Sequence, residues 1–197
     1  TVSNKDKDYS FTIYLVNPAP AAELIHFSFM TPRALPVLAA ATPEEFKKGV
    51  RLVDQTIEDF PVEELRPGDL VGISIHTFNA IHGYELARKA KASQATVVFG
   101  GPHASIFPEE TLQYGDSVVT GDGDLVWGNL LQDYANGQLQ SVYKGGRIEQ
   151  EDLKPASWDL MPLDRYLVAT VQTVRGCPKQ CSFCSVWVQD GRVRRII

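Results

Sequence analysis

The order of segments in this chain predicts an α/β protein built on an open, doubly wound parallel sheet. Short β-branched and apolar runs alternate with helical segments from residue 11 to residue 136, an order that argues for parallel strands joined by crossover helices. The run Leu70, Val71, Gly72, Ile73, Ser74, Ile75 is nearly continuously apolar, as in a strand covered on both faces. Several such runs end in glycine or in Asn-Pro, where the chain must turn. Right-handed crossovers then put helices on both faces of the sheet.

Each element has its own local reason. Residues 11–16 (FTIYLV) form a short β-branched and aromatic run ended by Asn17 and Pro18. Thr42, Pro43, Glu44 and Glu45 read as an N-cap, a proline at the first helical position and a capping-box acid. The helix they open stops at Gly49, before a strand over residues 50–53. Asp69 leads into the apolar strand 70–75, and an amphipathic helix over 80–91 follows, with Ile81, Tyr84, Leu86 and Ala87 as its core positions. A strand over 96–99 ends in Gly100 and Gly101, residues 108–114 read as helix, and a strand over 117–120 ends in Gly121. A last helix over 125–134 closes at Asn136 and Gly137. Five strands in this alternation suit a flavodoxin-like order, 2-1-3-4-5.

Beyond Gly137 the character changes. Residues 142–148, with Gly145 and Gly146 in the middle, read as a hairpin, and Pro155, Trp158 and Pro162 mark a linker. Residues 167–174 read as a strand running straight into a cysteine-bearing loop. A β/α barrel places ligand-bearing loops at the carboxyl ends of its strands, and a full barrel takes about 200–250 residues. The expectation is one complete domain plus the first element of a second.

Composition narrows the class. Of the 197 residues, 44% are hydrophobic and 22% charged, an ordinary globular balance. The net charge of −5 offers no basic footprint for nucleic acid, and Arg192, Arg194 and Arg195 read as a solvated or partner-facing end. No run reaches the roughly 18 apolar residues of a membrane span. No basic-then-apolar leader is visible. Clustered, unpaired cysteines suit a reducing cytoplasm.

In open α/β sheets ligands bind beyond the carboxyl ends of the strands. The candidate pocket is therefore Asn17 and Pro18, then Ser74, His76 and Thr77, then Gly100, Gly101 and His103, then Gly121, Asp122 and Gly123. Glycines there let backbone N–H groups approach a ligand and supply positive φ. Taken singly, each simply turns the chain; the four strand ends together point to a ligand site. The commoner cofactors fit poorly. The first strand ends in Asn17-Pro18-Ala19-Pro20 rather than a phosphate loop, and no acidic pair stands there. A dinucleotide fingerprint needs G-x-G-x-x-G after the first strand, whereas Gly121-Asp122-Gly123-Asp124-Leu125-Val126 follows the fifth.

The three cysteines stand together as Arg175-Gly176-Cys177-Pro178-Lys179-Gln180-Cys181-Ser182-Phe183-Cys184. A structural zinc site wants four protein ligands, and a disulfide would leave one thiol over. A cubane iron–sulfur cluster held by three thiolates keeps one iron free for another ligand. The alternatives are a zinc site completed by a distant histidine, or a plain surface loop.

This C-x3-C-x-aromatic-C pattern resembles the signature of radical S-adenosylmethionine enzymes. Its Arg-Gly-Cys-Pro start is similar to the branch that carries a cobalamin-binding domain. Gly100-Gly101-Pro102-His103, Pro108-Glu109-Glu110 and Gly121-Asp122-Gly123-Asp124 resemble that branch's glycine-glycine-x-histidine, Pro-Glu-Glu and Gly-Glu-Gly-Glu elements, with both acids of the last shortened to Asp. The resemblance runs from Phe11 to Val193. It implies that Cys177, Cys181 and Cys184 ligate a [4Fe-4S] cluster whose free iron chelates S-adenosylmethionine, with Phe183 near the adenine. It implies cobalamin bound at Asn17, Ser74, His76, Thr77, Gly100, Gly101, His103, Gly121, Asp122 and Gly123. None of His26, His76, His82 and His103 follows an Asp in an Asp-x-His-x-x-Gly run. The cobalt's lower face would then meet water or a nonligating side chain, with His76 and Asn17 nearest.

On this resemblance, residues 1–140 are a cobalamin-binding α/β domain, 141–165 a hairpin and linker, and 166–197 the start of a radical S-adenosylmethionine barrel. The implied chemistry starts with an electron from a donor such as flavodoxin or ferredoxin. S-adenosylmethionine is cleaved to a 5′-deoxyadenosyl radical, which takes a hydrogen from a small-molecule substrate. Methyl transfer or oxidative cyclisation at the unactivated carbon follows. No catalytic residue is expected within these residues, which alone are expected to be inactive. The rival expectation is a non-catalytic cobalamin carrier or sensor whose cysteine loop holds zinc or nothing.

Overall fold

The computed structural model describes residues 11–19 and 30–196; His26 and the first ten residues of the expected α/β domain lie outside them. Six strands build the main sheet: β1 (Ile13–Asn17), β2 (Val50–Asp54), β3 (Leu70–Ser74), β4 (Thr96–Gly100), β5 (Ser117–Thr120) and β6 (Val142–Lys144). They lie in the order β2-β1-β3-β4-β5-β6 and every pairing is parallel. The first five strands follow the expected flavodoxin-like order. The expected hairpin over 142–148 is corrected. Val142, Tyr143 and Lys144 pair in parallel with Val118, Val119 and Thr120. The ladder runs on as Gly145 N donates to Thr120 O at 2.8 Å and Asp122 N to Gly146 O at 3.1 Å. The open edge of β5 supplies the unpaired backbone groups that recruit this strand.

Among the described residues, six helices accompany the sheet, α1 (Ala34–Ala41), α2 (Glu44–Lys47), α3 (Ala80–Ala92), α4 (Pro102–Ile106), α5 (Pro108–Leu112) and α6 (Trp127–Ala135), and a seventh, α7 (Val186–Gln189), lies in the cysteine segment. Alternate side chains of β1 enter opposite cores, as strand geometry requires. Tyr14 and Val16 join Val71, Ile73, Val97, Phe99 and the inner face of α3. Ile13 and Leu15 join Val98, Trp127, Leu130, Leu131 and the inner face of α1. Tyr84, Leu86 and Ala87 are buried as expected, whereas Ile81 is 73% exposed. The buried stripe of α3 is centred on Ala80, Gly83, Ala87 and Ala90, three and four residues apart, and Ile81 lies off it at the helix's 3.6-residue period.

Thr42 does not cap α2. Its hydroxyl donates to Leu38 O at 2.9 Å and accepts from Trp127 Nε1 at 2.9 Å, so it closes α1 and holds the buried indole, while Pro43 occupies the cap position. Gly72, in mid β3, makes room for this arrangement. A Cβ there would lie 3.1 Å from Leu15 Cδ2 and 3.5 Å from the Trp127 ring.

The segment read as a linker is docked. Within it, Ser157 N donates to Pro36 O at 2.9 Å and Met161 is buried; just beyond it, Tyr166 OH donates to Asp54 Oδ2 at 2.8 Å, and the Thr31 and Thr170 hydroxyls meet at 2.8 Å. The strand expected over 167–174 shortens to β7 (Val174–Arg175), which pairs antiparallel with β8 (Arg195–Ile196). Leu167 and Val171 are exposed. Before β7 this segment finds a single bridge, Val168 to Met30, too little pairing to sustain a longer strand.

Candidate functional site

A cavity of about 720 Å³ opens beyond the carboxyl ends of β3, β4 and β5, on the face covered by α1 and α6. That volume suits a sizeable ligand. Leu15, Val98 and Trp127 line its apolar interior, and the turns after the strands form its rim. Ser74, Gly100, Gly101, Gly121, Asp122 and Gly123 all meet here.

The glycines have physical work to do. Gly101 has φ +93° and ψ −178°, a region open to glycine alone, and a Cβ on it would lie 2.6 Å from Ile75 O. At Gly100 the nearest neighbour of an added Cβ would be Val119 at 3.9 Å, and at Gly123 Leu38 at 3.5 Å. Backbone is thus bared toward the cavity at two turns. Ser105 ties them together, donating to Gly101 O at 3.0 Å and accepting from Gly121 N at 3.1 Å. Sequence reasoning passed over Ser105; its place four residues after Gly101, inside α4, was the available signal.

Asn17, His76, Thr77 and His103 are not part of this cavity's lining. Asn17 Nδ2 donates to Asp54 Oδ1 at 2.9 Å, so its amide is held by a buried carboxylate. His76 is exposed, and its backbone N–H donates to Asn79 Oδ1 at 2.9 Å. Loss of hydration, and then the neighbouring His103, lowers the pKa of the His76 imidazole. The His103 ring is buried, with Nδ1 3.4 Å from Thr77 Oγ1 and Nε2 3.5 Å from Glu110 Oε1. The expected pocket therefore divides into a cavity-lining set and residues that stand outside the cavity.

The cysteine loop has reduced thiols, with Cys181 exposed and Cys177 and Cys184 half-buried. Cys177 N donates to Gly191 O at 2.9 Å, and Trp187 Nε1 donates to Cys181 O at 3.2 Å. Phe183 is 91% exposed. Among the described residues, no three His, Cys, Asp or Glu side chains are grouped closely enough to hold a metal ion. The donor set, three thiols on one loop, has the chemistry an iron–sulfur cluster needs. The loop as it stands does not gather them.

An ionic cluster joins this loop to the cavity. Arg175 donates to Asp124 Oδ2 at 2.8 Å, to Asp124 Oδ1 at 3.2 Å, to Asp122 Oδ1 at 3.0 Å and to Gln172 Oε1 at 3.1 Å. Arg195 donates to Asp122 Oδ2 at 3.0 Å, Ile148 O at 2.6 Å and Asp190 O at 2.7 Å. The two arginines are direct cross-strand partners in β7 and β8 and are 5% and 6% exposed. The solvated role expected of Arg195 is corrected: strand pairing sets it beside Arg175, and Asp122 bridges the two like charges. Asp190 lines the cavity nearby, and burial, then the Asp122 carboxylate, raises its pKa.

A parallel sheet with helices on both faces, glycine turns and a large cavity at its carboxyl edge defines a ligand-binding α/β domain. The chain belongs to the B12 binding domain family, which matches residues 27–131, more than half of its length. It is 33% identical over 165 residues to the bacteriochlorophyllide d C-8(2)-methyltransferase of Chlorobaculum tepidum, covering 77% of this chain and 35% of that protein. It is 26% identical over 191 residues to the bacteriochlorophyllide d C-12(1)-methyltransferase of the same organism, covering 92% and 42%. The chain thus spans between about a third and two fifths of the length of these relatives. Its fold matches the cobalamin-dependent S-adenosylmethionine radical enzyme OxsB, solved with aqua-cobalamin bound, at a TM-score of 0.64 and 16% identity over 94% of this chain and 30% of that one.

Proposed function

We propose that this chain binds cobalamin in the cavity beyond β3, β4 and β5. We also propose that it contributes the cluster loop of a radical S-adenosylmethionine enzyme, one that methylates an unactivated carbon of a small molecule. The observation that carries the reading is the make-up of the cavity wall. One side is the glycine turns of a B12 binding domain, and the other is Arg175, Val188, Gln189 and Asp190 of the cysteine segment. The relatives named as methyltransferases favour methyl transfer over cyclisation.

Each residue's part follows from its place. Gly100, Gly101, Gly121 and Gly123 bring bare backbone against the ligand. Leu15, Leu38, Val98 and Trp127 keep water from the cavity interior, which strengthens polar contacts made there. Cys177, Cys181 and Cys184 would ligate the [4Fe-4S] cluster, with Phe183 beside S-adenosylmethionine. When bound, the corrinoid supplies methyl transfer and the cluster supplies the electron that cleaves S-adenosylmethionine, the chemistry residing in the cofactors. In this reading residues 1–140, with β6 added to their sheet, carry cobalamin, the rest of 141–165 connects, and 166–197 begin the barrel. A flavodoxin or ferredoxin donates the electron in the cytoplasm, and these 197 residues alone do not turn over substrate.

The rival reading is a non-catalytic cobalamin carrier with an empty or zinc-bearing cysteine loop. Hydroxocobalamin mixed with the chain and passed over gel filtration is expected to co-elute with protein; a colourless protein peak overturns the cobalamin assignment. Anaerobic reconstitution with iron and sulfide is expected to give a broad visible absorption that is lost in Cys181→Ala. A colourless protein carrying zinc would instead establish the carrier reading.

A further inference from the structure

The turn after β5 serves two masters. Gly121 and Gly123 border the ligand cavity, while both Asp122 and Asp124 carboxylates are engaged by arginines of the cysteine segment. Asp122 Oδ2 also accepts from Ile148 N at 2.8 Å. We infer that Asp122 and Asp124 are positioning residues that seat the cysteine loop on the cavity, so that occupancy of the cavity and order of the loop support each other. The part of this inference that concerns cobalamin rests on the proposed function above.

The geometry leaves little slack between clamp and cysteine. Arg175 stands two residues before Cys177, and Gly176 between them has φ +88°. A Cβ at Gly176 would lie 2.0 Å from Val193 O. Cys177 N is already bonded to Gly191 O. At the other end of the segment, Arg195 holds both Asp122 and the Asp190 carbonyl. Residues 176–194 are thus a loop with both ends anchored to one turn. Its far part, Val188, Gln189 and Asp190, is a wall of the cavity.

The charge chemistry matches a positioning role. Fork-to-fork contact between a guanidinium and a carboxylate fixes orientation as well as distance, and Arg175 makes that contact with Asp124. Both guanidinium groups are almost fully buried. Removing one partner leaves an uncompensated buried charge, a strong penalty on the docked state of the loop. A ligand that touches both the turn and the loop gains affinity when they are held together. By linkage it orders the loop by the same factor.

Hydrogen exchange of the amides in residues 176–194, with alkylation rates of the half-buried Cys177 and Cys184, tests this in the whole 197-residue chain without ligand. Arg175→Gln and Asp124→Asn are expected to raise loop exchange and alkylation at least tenfold while leaving amides of β1, β3 and β4 unchanged. Asp124→Glu keeps the carboxylate and is expected to restore most of the protection. Loop exchange unchanged in both variants overturns the inference. So does acceleration of β3 and β4 equal to that of the loop, which would make the cluster a general stability element. In a second arm, hydroxocobalamin is expected to protect the loop of the native chain and to bind Arg175→Gln at least fivefold more weakly. Equal affinity for the two chains overturns the mutual support. Failure of the native chain to bind hydroxocobalamin overturns the cobalamin reading instead, and the ligand-free arm then decides the clamp by itself.

Discussion

Replacing Gly101 by alanine tests the cavity rim at its tightest point. The backbone there adopts φ +93° and ψ −178°, which costs an L-residue about 1–3 kcal/mol in strain. The added Cβ would also meet Ile75 O at 2.6 Å and Ile75 N at 3.0 Å. These are backbone atoms already committed: Ile75 N donates to Gly100 O and Ile75 O accepts from His103 N. Relief therefore means moving the end of β3 or the start of α4. Overpacking of this kind adds about 1–3 kcal/mol, and the smaller unfolded-state entropy of alanine returns about 0.4–1 kcal/mol. The net expectation is a loss of about 1–6 kcal/mol, out of a domain stability of about 5–15 kcal/mol. Urea denaturation followed by the fluorescence of buried Trp127 measures it. Gly137→Ala is the control: φ is +69° with nothing within 4 Å of the added Cβ, so only the left-handed penalty of about 1–2 kcal/mol applies. A Gly101→Ala loss no larger than that of the control would refute the close-approach argument.

Other perturbations reach different parts of the molecule. Thr42→Val strips Trp127 Nε1 of its buried acceptor and should cost about 1–3 kcal/mol, read as a lowered urea midpoint with the fold retained by circular dichroism. Asp190 has a raised pKa in the folded chain, so burial of its charged form opposes folding above that pKa. Its penalty is absent below the unfolded value of about 3.9 and complete once pH has risen past the folded one. Asp190→Asn is therefore expected to raise the melting temperature at pH 7 and to leave it unchanged near pH 3; equal gains at both would refute the assignment. Hydroxocobalamin at a hundred times its Kd should stabilise the chain by about 2.7 kcal/mol, and a melting temperature independent of its concentration would contradict binding to the folded state.

Much of the fold was legible because its signals are local. The nearly unbroken apolar run around Ile73 marked β3, and glycine pairs marked the turns after β4 and β5. Part of the candidate site was equally local, since Gly101 and Gly121 carry their reason in their own positive φ. Other features depend on distant chain. The strand Val142–Lys144 exists because β5 leaves an open edge beside it, and nothing within three residues announces that. Thr42 reads as a cap until a tryptophan 85 residues away claims its hydroxyl. Asn17 reads as a free rim residue until Asp54, 37 positions on, takes its amide.

The amino-acid sequence by itself determined the parallel α/β class, the glycine turns and the three-cysteine loop. Each follows from periodicity or residue type within about a dozen positions, the range over which backbone preference and alternation act. Only the tertiary structure decided that Asn17, His76, Thr77 and His103 stand apart from the cavity. It alone placed the cysteine segment as a wall of that cavity, through Arg175 and Arg195 on Asp122 and Asp124. Those pairings join residues 51 to 73 positions apart. Short-range propensity carries no trace of them, because a buried charge finds its partner only when the folded chain brings the two together.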